Sequence, residues 1–395
     1  MEYPQYVKTV LDKLSAAGFE AYIVGGSLRD MLIGRDPSDF DVTTSALPEE
    51  ILEVFSDMRT IPTGLKHGTV TVLSDGEPIE VTTFRTDGEY LDSRHPESVS
   101  FTNDVCDDLS RRDFSVNAIA YNEKRGIVDP FGGQDDIKRK ILRAVGDPDK
   151  RMNEDALRIM RALRFSAQLG FSIEENTLAS LENTKDGLAN VSRERIGVEM
   201  AKLITSAEPL EPLRIMLKTG ISKYVLGDYI PSEKCISALS SLPADFFVRF
   251  SCLLWNCDKN KAREILNSLK YSNAQKNGVI TLLSSKELPY PKNDADARRF
   301  IISLGKYSQS AALLLNVLDG APESLLRDIK KVDSMCFAKS ITELKINGND
   351  LINLGINGKH IGKALERLFE IVTDNPSLNT KEELTKIIKS KDFET

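Results

Sequence analysis

Residues 22–44 read YIVGGSLRDMLIGRDPSDFDVTT, and few folds accommodate that order. Tyr22, Ile23 and Val24 read as a strand, Gly25-Gly26 as a turn, and Ser27 as the cap of a helix from Leu28 to Ile33. A strand that passes through a glycine turn into a helix leaves backbone N–H groups pointing outward with nothing bulky in front of them. That is a cradle for phosphate. Asp39 and Asp41 then stand two apart in an extended stretch, which puts both carboxylates on one face. Acids side by side need a cation between them. All-oxygen ligands suit Mg²⁺, with substrate phosphates completing its shell. The combination fits nucleotidyl transfer by two metals.

At 395 residues the chain exceeds one ordinary core, so several domains are expected. Up to about residue 146 strand and helix alternate: GTVTVL (68–73), IEVTTF (79–84), NAIAY (117–121) and GIVDP (126–130) read as strands between turn signals. Beyond that point the periodicity is helical, as in 154–169, 193–206, 259–270, 295–304 and 361–373. The expected architecture is α+β. A head with a mixed sheet (1–146) is followed by an all-helical neck (147–206), body (207–320) and tail (321–395). Breaks are expected at Gly146-Asp147-Pro148, between Gly227 and Pro231, and near Gly320-Ala321-Pro322. No run reaches the roughly 20 apolar residues of a membrane span, and the first residues lack the pattern of a secretion signal. Five cysteines without a C-x-x-C pair suggest reduced thiols and a cytoplasmic setting.

A net charge of −7 argues mildly against a nucleic-acid partner, but its distribution argues the other way. Residues 138–164 carry nine basic side chains against four acids, a band able to grip phosphates. Within and around it lie further candidates. Glu80, on a strand, is placed to complete the metal site as a third carboxylate. Arg111-Arg112 can clamp a triphosphate bidentately, and Asn117 can reach a ribose hydroxyl. The turn Asp129-Pro130-Phe131-Gly132-Gly133 reads as structural. Asp155, Arg158, Arg161 and Arg164 are spaced by three. On one helix over 154–169 they wind around half the cylinder, while Ala156, Ile159, Met160 and Leu163 pack on the other side.

An Asp–Arg pair has a specific chemical use. Cytosine and adenine each present an amino donor beside a ring-nitrogen acceptor, whereas guanine and uracil present the reverse order. An aspartate accepting from the amino group and an arginine donating to the ring nitrogen therefore admit C and A. G and U would leave buried groups unpaired and are rejected, with no template required.

The ordered set GGSLRD, DFD, RRDFSVNA, DPFGG, EDALRIMRALRF and SRERIGVE (192–199) resembles the class II tRNA nucleotidyltransferases, the bacterial CCA-adding enzymes of the DNA polymerase β superfamily. The resemblance implies that Asp39 and Asp41 hold two Mg²⁺ ions. It also implies that Gly25, Gly26, Arg29 and Arg112, with Arg111 as an alternative, contact the nucleotide. Asp155 and Arg158 would read the base, with Arg161 and Arg164 supporting that pair or the triphosphate. The substrates would be CTP, ATP and the acceptor end of tRNA, with no obligate protein partner. The run 346–372 resembles the family's tail, which reaches the T-arm side of tRNA; Gly355, Gly358 and Gly362 are either phosphate-approaching or ordinary loop glycines.

Bacterial poly(A) polymerase shares the head and neck motifs. Here TGLKHGTV (63–70) stands in place of its basic, aromatic run. Residues 85–101 look like the loop that CC-adding members lack, which leaves A-only addition open. His67, His95 and His360 are scattered, and none precedes an aspartate, which excludes an HD phosphohydrolase domain. A binding module with a dead head would lack one of the metal aspartates, and both are present.

Overall fold

A computed structural model describes residues 1–88 and 99–390. The chain forms two compact units, Met1–Ile230 and Pro231–Thr395, which divide within the stretch from Gly227 to Pro231. The first unit opens with α1 (Gln5–Ala16), β1 (Ala21–Val24), α2 (Gly26–Ile33), β2 (Asp41–Thr44) and α3 (Pro48–Val54). Three antiparallel-paired strands follow: β3 (Arg59–Gly64), β4 (Thr69–Ser74) and β5 (Glu77–Thr83). β6 (Arg85–Asp87) pairs with β7 (Val99–Phe101). Most of the loop expected over 85–101, residues 89–98, lies outside the described residues. α4 (Val105–Ser110), β8 (Ala120–Asn122), β9 (Gly126–Val128) and α5 (Gly133–Arg139) complete this part.

Seven strands make one mixed sheet in the order β3-β4-β5-β2-β1-β8-β9. Every neighbouring pair is antiparallel except β2 and β5. Alternation fixes the register: β4 buries Val70 and Val72, and β5 buries Ile79 and Val81. A slip of one residue would turn those side chains to water. On the inner face they pack with Val7, Val10 and Leu14 of α1, Leu28 of α2 and Ile51 of α3. Leu28 is fully buried, so Leu28→Ala is expected to cost about 2–5 kcal/mol. The same register sets Asp41, first residue of β2, directly beside Glu80 of β5.

Two expected elements differ. The stretch 117–121 is not all strand, since Ser115–Asn117 is a tight 3-10 turn and β8 starts at Ala120. The cause is local. The Asp113 carboxylate accepts from the Phe114 N–H (2.8 Å) and from Asn117 Nδ2 (3.1 Å), which holds a turn that periodicity does not reveal. The helix expected over 154–169 is two helices, α6 (Pro148–Glu154) and α7 (Leu157–Leu169). Asp155 lies between them in extended backbone, φ −142° and ψ 101°. Its Oδ1 accepts from the Leu157 N–H at 3.1 Å and so starts the second helix. α8 (Glu175–Thr184) packs on α6, and α9 (Arg193–Ile204) packs on α7. Beyond α2, Arg35 Nη1 donates to the Gln168 carbonyl near the end of α7 at 3.3 Å. Past residue 147 the described residues hold one two-residue strand, Ser172–Ile173, parallel to Ile141–Leu142.

The described residues of the second unit are helices and turns without a strand. The expected helices are present at Lys259–Ser268, Asp294–Leu304 and His360–Asp374. Leu351, Ala364, Leu368, Val372 and Leu384 form a small core near the end of the chain. Arg298 is buried, and its guanidinium donates to the Thr373 and Asp374 carbonyls at 2.5 and 2.7 Å. It thereby satisfies the open end of the helix His360–Asp374. Gly355 and Gly358 have positive φ and shape the turn between two tail helices, as ordinary loop glycines do. All five cysteines are unpaired. Among the described residues no helix is long and apolar enough to cross a membrane.

Candidate active site

The glycine turn builds one wall of a cavity of about 560 Å³ in the first unit. Ser27 does not cap the helix. α2 begins at Gly26 with Gly25 as its cap, and the Ser27 hydroxyl donates to the Val24 carbonyl at 3.0 Å. Gly25 has φ +74°, a conformation other residues avoid. A Cβ there would stand 3.1 Å from Arg112 Nη1 and 3.6 Å from Asp41 Oδ2. The turn, a carboxylate and an arginine therefore meet at one point, the latter two 16 and 87 residues away in sequence from Gly25.

Apart from Glu80, every site residue expected from the sequence lines this cavity: Gly25, Gly26, Arg29, Asp39, Asp41, Arg111, Arg112, Asn117, Asp155, Arg158, Arg161 and Arg164. Glu80 is exposed and outside the wall. Among the described residues no three His, Cys, Asp or Glu side chains are clustered to hold an ion. Strand register brings Glu80 beside Asp41, although Glu80 is not among the residues that line the cavity. Its charge is still felt. The Asp41 carboxyl is pushed up to about 6, by burial first and then by Glu80 and Asp39, against the pull of Arg112. A carboxylate so short of positive charge, with Asp39 beside it, suits a hard divalent cation with oxygen ligands.

The arginines are held by acids that the motifs did not single out. Asp108 of α4 is fully buried and accepts from Arg111 Nη2 at 2.6 Å and Arg112 Nη2 at 3.1 Å. Burial raises its carboxyl, but the two guanidiniums outweigh burial and hold it below the usual range. The clamp expected of Arg111-Arg112 is thus anchored from behind. Arg112 Nε is buried with no hydrogen-bond partner, a donor suited to an anion in the cavity. Asp113 pairs with Arg161 at 2.7 Å. Burial pushes its carboxyl up, yet Arg161 and the Asn117 amide hold it far below the ordinary carboxylate range. Asn117 is buried and accepts from Arg29 Nη1 at 2.7 Å, so in this structure its amide braces Arg29 and Asp113.

The Asp155 and Arg158 side chains do not pair with each other. Asp155 Oδ2 accepts from Arg195 Nη2 of α9 at 2.7 Å. Arg158 Nη1 donates to Glu154 Oε2 at 2.6 Å and to the Arg151 carbonyl at 2.8 Å, and its Nη2 donates to the Arg111 carbonyl at 3.1 Å. Each side chain is fixed by its own partners, and both border the cavity. Nor is α7 a solvated basic face, because Arg158 and Arg164 are each only 8 % exposed. Arg164 Nε lies 2.6 Å from Glu199 of α9. The turn at Asp129 is structural as expected: its carboxylate accepts from the Gly133 and Gln134 N–H groups at 2.7 and 2.9 Å. A Cβ at Gly133 would come 2.2 Å from the Ser115 carbonyl oxygen.

Three family models match the chain in order. They are the Poly A polymerase head domain over residues 21–143, the RNA and SrmB-binding site of polymerase A over 170–231, and the tRNA nucleotidyltransferase domain 2 over 247–388. A CCA-adding enzyme of Leuconostoc mesenteroides is 35% identical over 96% of this chain and 94% of its own length. One from Lactobacillus delbrueckii subsp. bulgaricus is 38% identical over 94% of each. The chain belongs to the CCA-adding enzyme family. A solved relative, the Bacillus stearothermophilus CCA-adding enzyme in complex with CTP, superposes with a TM-score of 0.84 at 32% identity, covering 98% of this chain and 97% of that one. Membership makes the chain a tRNA nucleotidyltransferase.

Sequence reasoning missed Glu154, Asp108, Asp113, Arg195 and Glu199. The i+3 and i+4 spacings of Asp108 with Arg111 and Arg112, and of Glu154 with Arg158, were open to it. The Arg195–Asp155 and Glu199–Arg164 pairs join separate helices and leave no mark in local spacing.

Proposed function

We infer that this protein builds or repairs the 3′-terminal CCA of tRNA from CTP and ATP, without a template, by in-line nucleotidyl transfer. One observation carries the assignment of roles: the glycine turn, the Asp39/Asp41 pair and the Asp155/Arg158 pair all border one cavity. The backbone N–H groups at the start of α2 and the Arg112 guanidinium receive the triphosphate. Asp155 accepts from the amino group of cytosine or adenine, and Arg158 donates to the neighbouring ring nitrogen. The tRNA 3′-hydroxyl attacks the α-phosphorus and loses its proton to solvent, the bond from the α-phosphorus to the oxygen bridging to the β-phosphate breaks, and pyrophosphate leaves. Asp39 and Asp41 would hold Mg²⁺, which when bound would supply activation of the hydroxyl and neutralisation of the leaving pyrophosphate. Glu80 tunes Asp41 from the neighbouring strand.

The reading assigns catalysis to residues 1–146, base recognition to 147–206, a helical body to 207–320 and contact with the T-arm side of tRNA to 321–395. The site of action is the cytoplasm. Primer extension tests the whole. With Mg²⁺, CTP and ATP, a tRNA lacking CCA should gain CC and then A. Addition of A alone, and only to a CC-ended tRNA, would make this the A-adding half of a split pair. Long adenylate tails on unrelated RNA would make it a poly(A) polymerase.

A further inference from the structure

Phe165, the last residue of the EDALRIMRALRF run, has no place in the roles above, yet its ring is the meeting point of the cavity's cations. The Arg164 guanidinium carbon stands 3.7 Å from the ring centroid, that of Arg161 5.1 Å and that of Arg29 5.3 Å. The ring itself lines the cavity and is 5% exposed. It is backed by the fully buried Phe114, in an edge-on contact with centroids 5.8 Å apart.

Three guanidiniums in so small a space repel one another. Burial, and then Arg161, push Arg164 below the ordinary arginine range despite the pull of Glu199. Each cation has an acid close by: Asp30 of α2 for Arg29, Asp113 for Arg161 and Glu199 of α9 for Arg164. Glu199 also lies 4.0 Å from Arg161, and Asn117 joins Arg29 to Asp113, so these polar groups couple the cations in pairs and none touches all three. The Phe165 ring is the contact they share, and its electron-rich face attracts a cation with little of the desolvation that a fourth carboxylate would bring.

We propose that Phe165 is a positioning residue for the triphosphate, its ring holding Arg29, Arg161 and Arg164 at the spacing the phosphate oxygens meet. The proposal rests on the reading that this cavity binds a nucleoside triphosphate. It separates two properties: the ring governs how tightly any triphosphate is held, while base choice stays with Asp155 and Arg158.

The test replaces the Phe165 ring, in the full-length protein, by a graded series of fluorinated phenyl rings ending in pentafluorophenyl. Shape and apolar area are nearly kept while the charge on the ring face falls and then inverts. Equilibrium binding of CTP and of ATP is measured alongside the thermal unfolding midpoint. Affinity for both nucleotides should fall together with each fluorine, reaching about tenfold at the end of the series. The midpoint should be nearly constant, as should the preference for CTP over UTP. Phe165→Leu should weaken both nucleotides as much or more, and Phe165→Tyr should restore most of the affinity. Unchanged affinity across the fluorinated series would reduce the ring to filler and overturn the proposal. So would a loss confined to one nucleotide. If the unmodified protein shows no saturable CTP binding, the nucleotide reading itself fails, and the proposal falls with it.

Discussion

The two units bury charge in different ways. Among the described residues the buried charged side chains of Met1–Ile230 are Arg29, Asp108, Asp113, Asp136, Arg158, Arg164 and Glu199; those of Pro231–Thr395 are Arg249 and Arg298. The first set mixes both signs, and all but Asp136 line the cavity or pair with an arginine that does. The second is arginine only, and it donates to backbone carbonyls: Arg249 to Leu242, Arg298 to Thr373 and Asp374. Buried ion pairs are an inefficient way to stabilise a fold. Their concentration on one side marks where electrostatics is organised for a ligand, whereas the arginines of the second unit finish the ends of helices.

The sharpest break in the comparison comes from the carboxylate pair. Asp41→Ala should abolish transfer with either nucleotide, a fall on the order of 10³-fold or more, while circular dichroism and the unfolding midpoint stay close to those of the parent. Turnover above a trace would remove Asp41 from the metal site. Next in size is Asp155→Ala. Discrimination against UTP and GTP should relax by about 10²-fold, with tRNA affinity little changed. Competition between CTP and UTP in single-nucleotide addition reads this directly, and intact selectivity would dismiss the base-reading role.

Acid should separate the units. Folding lowers the carboxyls of Asp108 and Asp113, which titrate near pH 4 (about 3.9) when unfolded. Their ion pairs therefore contribute fully above that pH, and the contribution is lost as pH falls through the lower folded-state values. Asp333 and Asp350 of the second unit are also lowered, but by surface lysines, where ion pairs add little. Hydrogen exchange at decreasing pH should show the first unit opening first. The single tryptophan, Trp255, is buried in the second unit and donates to Asp319 at 2.7 Å. Its emission should change only at lower pH, and simultaneous loss of both signals would contradict the contrast. The smallest effect expected is that of Arg298→Met, about 1–3 kcal/mol from two unanswered carbonyls. It should appear in denaturant melts followed by Trp255, with CTP affinity unchanged.

Much of this was legible in the chain. Alternating Val70, Val72, Ile79 and Val81 announced the strands, and the glycine pair announced the cradle, because both signals are local. The sheet's one parallel pairing, which seats Asp41 next to Glu80, was not visible, since strand order is set by long-range packing. The break at Asp155 was hidden for a different reason. Glu154, Ala156 and Leu157 are good helix formers, and only the use of the Asp155 side chain as a cap interrupts them. The guanidiniums line one cavity, as their grouping led one to expect, but their burial was not legible, because their acids come from distant segments such as α4 and α9.

The joint between α2 and α7 has a metric consequence. α2 carries the glycine turn at its start, and Arg29 from its first turn rests on the ring of Phe165. Just past its far end, Arg35 is tied to the carbonyl of Gln168. α7 begins beside Asp155. Two points of attachment on two rigid rods fix the interval between the glycine turn and Asp155. The cavity is thus built like a caliper, its opening set by contacts between the two helices rather than by anything placed between them.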